Sequence, residues 1–325
     1  MRFAKKKMAH EEERQCMICL CGSGDLIRKG CACRGSSALA HGVCALRAVV
    51  AQLPHRGERA WVECQTCGQV FTGPMCVALA NAWLARAGTV AERHRALSYA
   101  ATASQDMGEY ARAERTCRYV LATNTRWYGP THEATVRSMG KLASALWHQE
   151  KHAESEALRR RVVSCRVLAL GTEHPLTLVG ESDLALSLST QEKYDEAEKL
   201  FDAVIAAQRR VLGREHAHTL VTMSNHASML SRRGDEAAAE RVYREAIASH
   251  RRVLGDAHPH TMLMDSNLAR CIAAQGRSDE ASAIYDRVVP MMREIMGARH
   301  PDTVESARRA LLLLVVRKEN RTLIY

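Results

Sequence analysis

Aromatic residues are scarce in this chain. They make up 5% of its 325 residues, with only 3 Phe beside 4 Trp and 8 Tyr. That scarcity argues against an aromatic-rich all-β core and for helices packed with Ala and Leu. Long apolar runs are missing as well. The longest is Ala310 to Val316, seven residues, whereas a membrane-spanning helix needs about 20. No apolar stretch stands behind Met1-Arg2-Phe3-Ala4 and the lysines at 5–7, so a secretory signal is not expected. The expected compartment is therefore reducing: cytoplasmic, with the nucleus left open. Disulfides are correspondingly disfavoured for the 12 cysteines. The length is ample for a buried core and suggests about two domains on a prior of roughly 150 residues each.

Nine of the twelve cysteines lie between Cys16 and Cys76, and Cys117, Cys165 and Cys271 are scattered over the rest. Thiols crowded into one segment of a reduced protein point to metal. Cys16 and Cys19 enclose two residues, and Cys31 and Cys33 enclose one. Seven residues separate Cys33 from His41, two separate His41 from Cys44, and Cys64 and Cys67 again enclose two. A pair spaced by two residues can turn both sulfurs toward one ion. Zinc takes four N or S ligands in a closed structural site, so these eight positions provide for two structural zinc ions. Cys21 and Cys76 are extra and read as thiols near the sites, with Cys21 close enough to Cys19 to compete with it.

This order resembles the RING-CH (RING-variant) zinc domain over about residues 14–73. The string Cys33-Arg-Gly-Ser-Ser37 before His41 is also similar to that family. The PHD finger uses the same ligand types with a shorter gap before its His. The resemblance implies a cross-brace, with Cys16, Cys19, His41 and Cys44 on one zinc and Cys31, Cys33, Cys64 and Cys67 on the other. It further implies a ubiquitin ligase that docks a ubiquitin-conjugating enzyme through Ile18, Leu46 and Val49. Such a module supplies orientation and no catalytic residue of its own. Two positions depart from the family: Ala48 stands where a Trp is usual, and Gly68 where a basic residue often follows the last ligand.

The remainder repeats itself every 42 residues. Gly stands at 129, 171, 213, 255 and 297, His at 132, 174, 216, 258 and 300, and Thr at 135, 177, 219, 261 and 303. Each unit carries two apolar patterns at helical spacing. Leu-Ala pairs mark the first, as in Leu142-Ala143, Leu184-Ala185 and Leu268-Ala269. The Gly suits a helix C-terminus, while Pro and Thr suit the next N-terminus. The histidines fall in separate hairpins, which argues against a shared metal; hydrogen bonding across the joint between repeats is the expected role. Cys117, Cys165 and Cys271 read as small buried apolar residues.

Leu254-Gly-Asp-Ala-His-Pro-His-Thr261 resembles the loop of kinesin-light-chain tetratricopeptide repeats, longer than the usual 34-residue form. HEAT repeats have a similar length. The expected fold class is thus a small zinc-binding, cross-braced RING-like domain followed by an all-α tetratricopeptide solenoid. The expected plan is a basic tail at 1–13, the zinc domain at 14–73, a connecting helix at 74–89 and the solenoid at 90–325. Its helix pairs are expected at about 90–128, 133–170, 175–212, 217–254 and 259–296, with a capping helix at about 301–317. Solenoids of this kind form a groove lined by the first helices. Matching positions there are Lys141, Asp183, Asn225 and Asn267, and the resemblance implies polar contacts to an extended peptide. Arg209, Arg251 and Arg293, with Arg210 and Arg252 beside them, form a basic series that reads chiefly as solvated surface.

The expected function is ubiquitin ligation, with the repeats recruiting a protein substrate. The alternative is a non-enzymatic zinc-binding scaffold or adaptor, which Ala48 and Gly68 favour. A PHD-type chromatin reader is disfavoured by the His spacing. Nucleic acid is disfavoured too. The formal charge is +10, but seven thiolates and two zinc ions would reduce it to about +7, and aromatic stacking platforms are wanting.

Overall fold

The computed structural model describes residues 26–28, 39–66, 70–71, 73–298 and 301–322. Cys16, Ile18, Cys19, Cys21, Cys31, Cys33, Cys67, Gly68 and His300 lie outside the described residues. The chain divides into two compact units, 1–158 and 159–325.

In the first unit, strand β1 (Leu26–Arg28) pairs antiparallel with β2 (Leu39–His41), Leu26 opposite His41. Helix α1 (Gly42–Arg56) follows at once, then α2 (Arg59–Val62) and α3 (Gly73–Arg86). Their core holds Trp61, Phe71, Met75, Leu79 and Trp83. The Trp61 and Trp83 rings lie parallel with centroids 6.0 Å apart, and Tyr99 tilts against Trp83 at 6.1 Å. Tyr99 belongs to α4 (Val90–Asp106), so this core continues into the first repeat. Helix α3 ends at Arg86, one period of 42 before the end of α5 (Tyr110–Tyr128). It packs on α4, in the register of a repeat's second helix. The segment expected as a connector is thus part of the packed array.

The repeats build helix pairs α4/α5, α6 (Glu133–Trp147)/α7 (His152–Leu170), α8 (Pro175–Thr190)/α9 (Tyr194–Val211), α10 (Ala217–Arg233)/α11 (Glu236–Leu254) and α12 (Pro259–Ala274)/α13 (Ser278–Ile295). A single helix α14 (Pro301–Thr322) follows. The two units divide within α7. Fully buried Ala143, Ala185, Ala227 and Ala269 on the first helices, with Ala197, Ala239 and Ala281 on the second, leave room for close approach. Cys117, Cys165 and Cys271 are buried among them.

The shared Gly-x-x-His-x-x-Thr string resolves into three local tasks. The glycine ends the second helix at positive φ, +88° at Gly129 and +83° at Gly255, with ψ 168° at both, a region essentially closed to other residues. The histidine caps the next helix. Nδ1 of His132, His174, His216 and His258 accepts a hydrogen bond from the backbone N–H two residues on, each at 3.2 Å. In three repeats the threonine hydroxyl reaches back across the joint: Thr135, Thr177 and Thr219 donate to the carbonyls of Gly129, Gly171 and Gly213 at 2.8–2.9 Å, whereas the buried hydroxyls of Thr261 and Thr303 do not. The roles expected from sequence are therefore exchanged. An imidazole next to the helix start is placed to accept locally, while the shorter Thr side chain lies buried inside the first turn, facing the preceding carbonyl.

Within each pair, the turn between helices has its own positive-φ position, again at steps of 42. It is Gly108, Gly234 and Gly276 in three pairs, but Glu150 (φ 61°) and Glu192 (φ 60°) in the other two.

Candidate functional site

Two of the eight presumed zinc ligands have described side chains. Cys44 stands in the first turn of α1, half-buried. A helix N-terminus favours a thiolate there. Cys64 is buried just after α2, in a turn closed by an antiparallel bridge between Glu63 and Val70 and by the Phe71 N–H donating to the Val62 carbonyl at 2.8 Å. That closure suits a Cys-x2-Cys pair sharing one ion. His41 ends β2, immediately before α1. Both described thiols therefore fit a structural zinc in kind and placement. Cys76 differs: it is buried in the core, and burial raises its thiol pKa.

The expected docking residues separate. Val49 is buried and packs within the module core, while Leu46 is only partly covered. Trp61, which could have enlarged an apolar docking surface, lies in the core beneath Trp83. Val43, one position before Cys44, is the exposed apolar residue of this helix start.

The four groove positions also separate. Lys141 in the first unit is committed internally: its ammonium donates to the Thr102 hydroxyl at 2.8 Å and the Ser98 carbonyl at 3.3 Å, and burial lowers its pKa. Asp183 on α8 has its carboxylate 58% exposed, with the buried Arg159 guanidinium 3.9 Å away. Arg159 also donates to the Asp183 carbonyl. Asn225 on α10 and Asn267 on α12 are half-buried, and their amides have no hydrogen-bond partner among the described residues. An amide offers both donor and acceptor, so these two can pair with an incoming backbone.

Four residues before each lies an apolar side chain on the same helix face: Val179, Val221 and Leu263, with Val221 41% exposed. Sequence reading missed this row. Its signal was the i−4 position of each polar one. In the second unit α8 contacts α10, α10 contacts α12 and α12 contacts α14. The polar row and the apolar row therefore run side by side over neighbouring first helices.

The arginines of the basic series mostly hold carboxylates of adjoining repeats. Arg209 meets Glu245 at 2.7 Å, Arg252 meets Glu215 at 2.6 Å, and Arg210 meets Glu173. Arg160–Glu196 and Arg244–Glu280, both at 2.7 Å and 36 residues apart, repeat the pattern on the second helices. Arg251 and Arg287 close on Asp265, 2% exposed, each with a 2.9 Å contact. Arg293 has no such partner among the described residues. Most of this positive charge is thus spent inside the array, and little is presented to a polyanion.

Among the described residues no helix is long and apolar enough to cross a membrane. A tetratricopeptide repeat family model matches residues 92–166 and 176–252, and a second model of the same description matches 225–295. Among solved structures, a Podosopora anserina protein assigned as a kinesin light chain, with nearly identical TPR-like repeats, is similar at 24% identity and TM-score 0.53, over 62% of this chain and 95% of that one. BtubC (BKLC) from P. vanneervenii is similar at 18% identity and TM-score 0.53, over 70% and 90%. A Rap protein complexed with Competence and Sporulation Factor is similar at 9% identity and TM-score 0.58, over 85% and 88%. These likenesses concern the fold. No curated protein matches the sequence. With the matched repeats covering more than half of its length, the chain belongs to the tetratricopeptide-repeat family.

Proposed function

We propose that this protein is an interaction scaffold whose repeats hold an extended segment of a partner protein along α8, α10 and α12. The observation that carries the reading is the pair Asn225 and Asn267: half-buried amides, one repeat apart, each without an internal partner and each beside an apolar neighbour. Unmet hydrogen-bonding groups on a partly desolvated surface favour a ligand that satisfies them. Asp183, at the preceding step, favours a basic residue in the segment where it passes α8. Peptide display against the full chain tests this. Enriched extended peptides that photocrosslink from position 221 support it; enrichment that photocrosslinks only outside α8, α10 and α12 refutes it.

The zinc module is a second element of the proposal. The eight-position spacing supports two structural zinc ions held by Cys16, Cys19, Cys31, Cys33, His41, Cys44, Cys64 and Cys67. When bound, such ions supply folding energy and no reaction chemistry. The closed turn around Cys64 and the packing of α3 on α4 support a module that caps the repeat array. Ubiquitin ligation, with Ile18, Leu46 and Val49 docking a conjugating enzyme, is the finer reading. It is supported by ligand spacing, and the burial of Val49 moves its docking surface toward Ile18 and Leu46. Autoubiquitination with a panel of conjugating enzymes tests it. Silence of zinc-loaded protein with every enzyme leaves the adaptor reading alone.

A further inference from the structure

Two residues of the second unit put charge on the groove face where their counterparts in that unit are neutral. Asp183 on α8 has an exposed carboxylate, and the same position is Asn225 on α10 and Asn267 on α12. Arg270 lies on α12 three residues beyond Asn267, on the same helix face. Its counterparts one and two periods earlier are Ser228 and Leu186. Arg270 is half-buried and holds no carboxylate among the described residues. Its neighbours differ: Arg251 and Arg287 share Asp265, and Arg309, the next step of the polar row, is held by Glu305 at 2.8 Å. Beside Arg270 lie the buried phenols of Tyr243 and Tyr285. Burial raises both phenol pKa values, and the guanidinium opposes that rise. The Tyr285 hydroxyl donates to the Ser266 carbonyl at 3.2 Å, while that of Tyr243 has no hydrogen-bond partner among the described residues. A partly desolvated guanidinium without a counter-charge favours an incoming anion.

We propose that the segment held by α8, α10 and α12 is bipolar, with a basic side chain at Asp183 and an acidic side chain at Arg270. This rests on the groove reading above and names the chemistry of its partner. The two charges stand two first-helix steps apart. At about 10 Å per step the separation is about 20 Å, which an extended segment at 3.3 Å per residue covers in about six residues. Asn225 falls between the two charges, and Asn267 lies one turn before Arg270, so both amides remain for the segment's backbone. A guanidinium takes a carboxylate through two parallel N–H···O bonds. Amides offer donor and acceptor alike and leave open which way the segment runs; one negative and one positive anchor fix its direction.

Peptide display against the full chain, followed by calorimetry, tests the proposal. The peptides are amidated at the C-terminus, so only side chains supply carboxylates. Enriched peptides are expected to carry Asp or Glu about six residues from Lys or Arg. Replacing that acid by its amide weakens binding to the unaltered protein about tenfold, a result that needs no protein variant to fold. Arg270→Glu weakens binding at least as much, with far-UV circular dichroism unchanged, and a peptide with Lys in place of the acid regains most of the loss. Asp183→Lys is rescued only by an acid at the peptide's basic position. Peptides that depend on Asn225 and Asn267 but tolerate both Arg270→Glu and loss of the acid overturn the bipolar assignment and leave the groove reading standing. Peptides that also withstand replacement of both asparagines overturn the two together.

Discussion

Replacing Glu192 with glycine is expected to stabilise the repeat array. Glu192 holds φ at 60° in the turn between α8 and α9. A side chain in the left-handed region costs roughly 1–2 kcal/mol per residue. Glycine avoids that cost but loses more freedom on folding, about 0.5–1 kcal/mol relative to Ala. No hydrogen bond or ion pair of Glu192 is lost among the described residues, so the net gain is about 0.5–1 kcal/mol. The protein contains its own control. Gly234, one period later, sits at φ 94° with open space where a Cβ would project. Gly234→Ala therefore reports backbone strain without a clash, and a loss of about 1 kcal/mol is expected. Urea unfolding followed by circular dichroism measures both. A lower midpoint for Glu192→Gly, or an unchanged one for Gly234→Ala, would refute the strain argument.

Two further outcomes follow from the structure and a third from the cysteine spacing. His226, His250 and His258 all have pKa values lowered chiefly by burial. The unfolded chain then takes up protons first, so stability is full above about pH 6.5 and falls as pH drops through the lower folded values. Carboxylates such as Glu114, held down to about 2 beside Lys151 and Arg118, keep their contribution through that window. A pH series of unfolding midpoints that stays flat between about pH 7 and 5 contradicts this. Asp265→Ala removes the buried carboxylate shared by Arg251 and Arg287 and leaves them the exposed Asp256; since both arginines also reach solvent, the loss is about 2 kcal/mol, below the 3–5 kcal/mol of a fully buried pair. A thermal transition unmoved by that change would show the clamp to be energetically idle. Elemental analysis is expected to return two zinc ions per chain, and chelation is expected to expose the 14–73 segment to protease; one ion or none sinks the cross-brace.

The repeat array was legible in the sequence because its structural tasks recur at a fixed step. Gly, His and Thr mark one joint after another, and a 42-residue period leaves room for two helices and two turns. What each residue does was less legible. The histidine was expected to bridge the joint and instead caps a helix, while the threonine makes the bridge; residue type and spacing are the same for either assignment. The polar row at 183, 225 and 267 could be found by counting, but counting treats Lys141 as equivalent. Only side-chain geometry shows Lys141 satisfied by Ser98 and Thr102. Val49 and Trp61 illustrate the same limit. Apolar residues near a zinc motif can serve a partner or the core, and packing against Leu79 and Trp83 decides for the core. The expectation of a metal module rests on ligand spacing alone, since most of its ligand positions lie outside the described residues.

The central claim is that the repeats hold a partner through Asn225 and Asn267. The direct measurement is calorimetric affinity of a display-selected peptide for the full chain and for Asn225→Ala/Asn267→Ala. Each amide carries about 0.5–1.5 kcal/mol of hydrogen bonding, so the double variant is expected to bind at least about fivefold more weakly, with unchanged stability because neither amide has an internal partner. Undiminished affinity in a folded double variant would contradict the account.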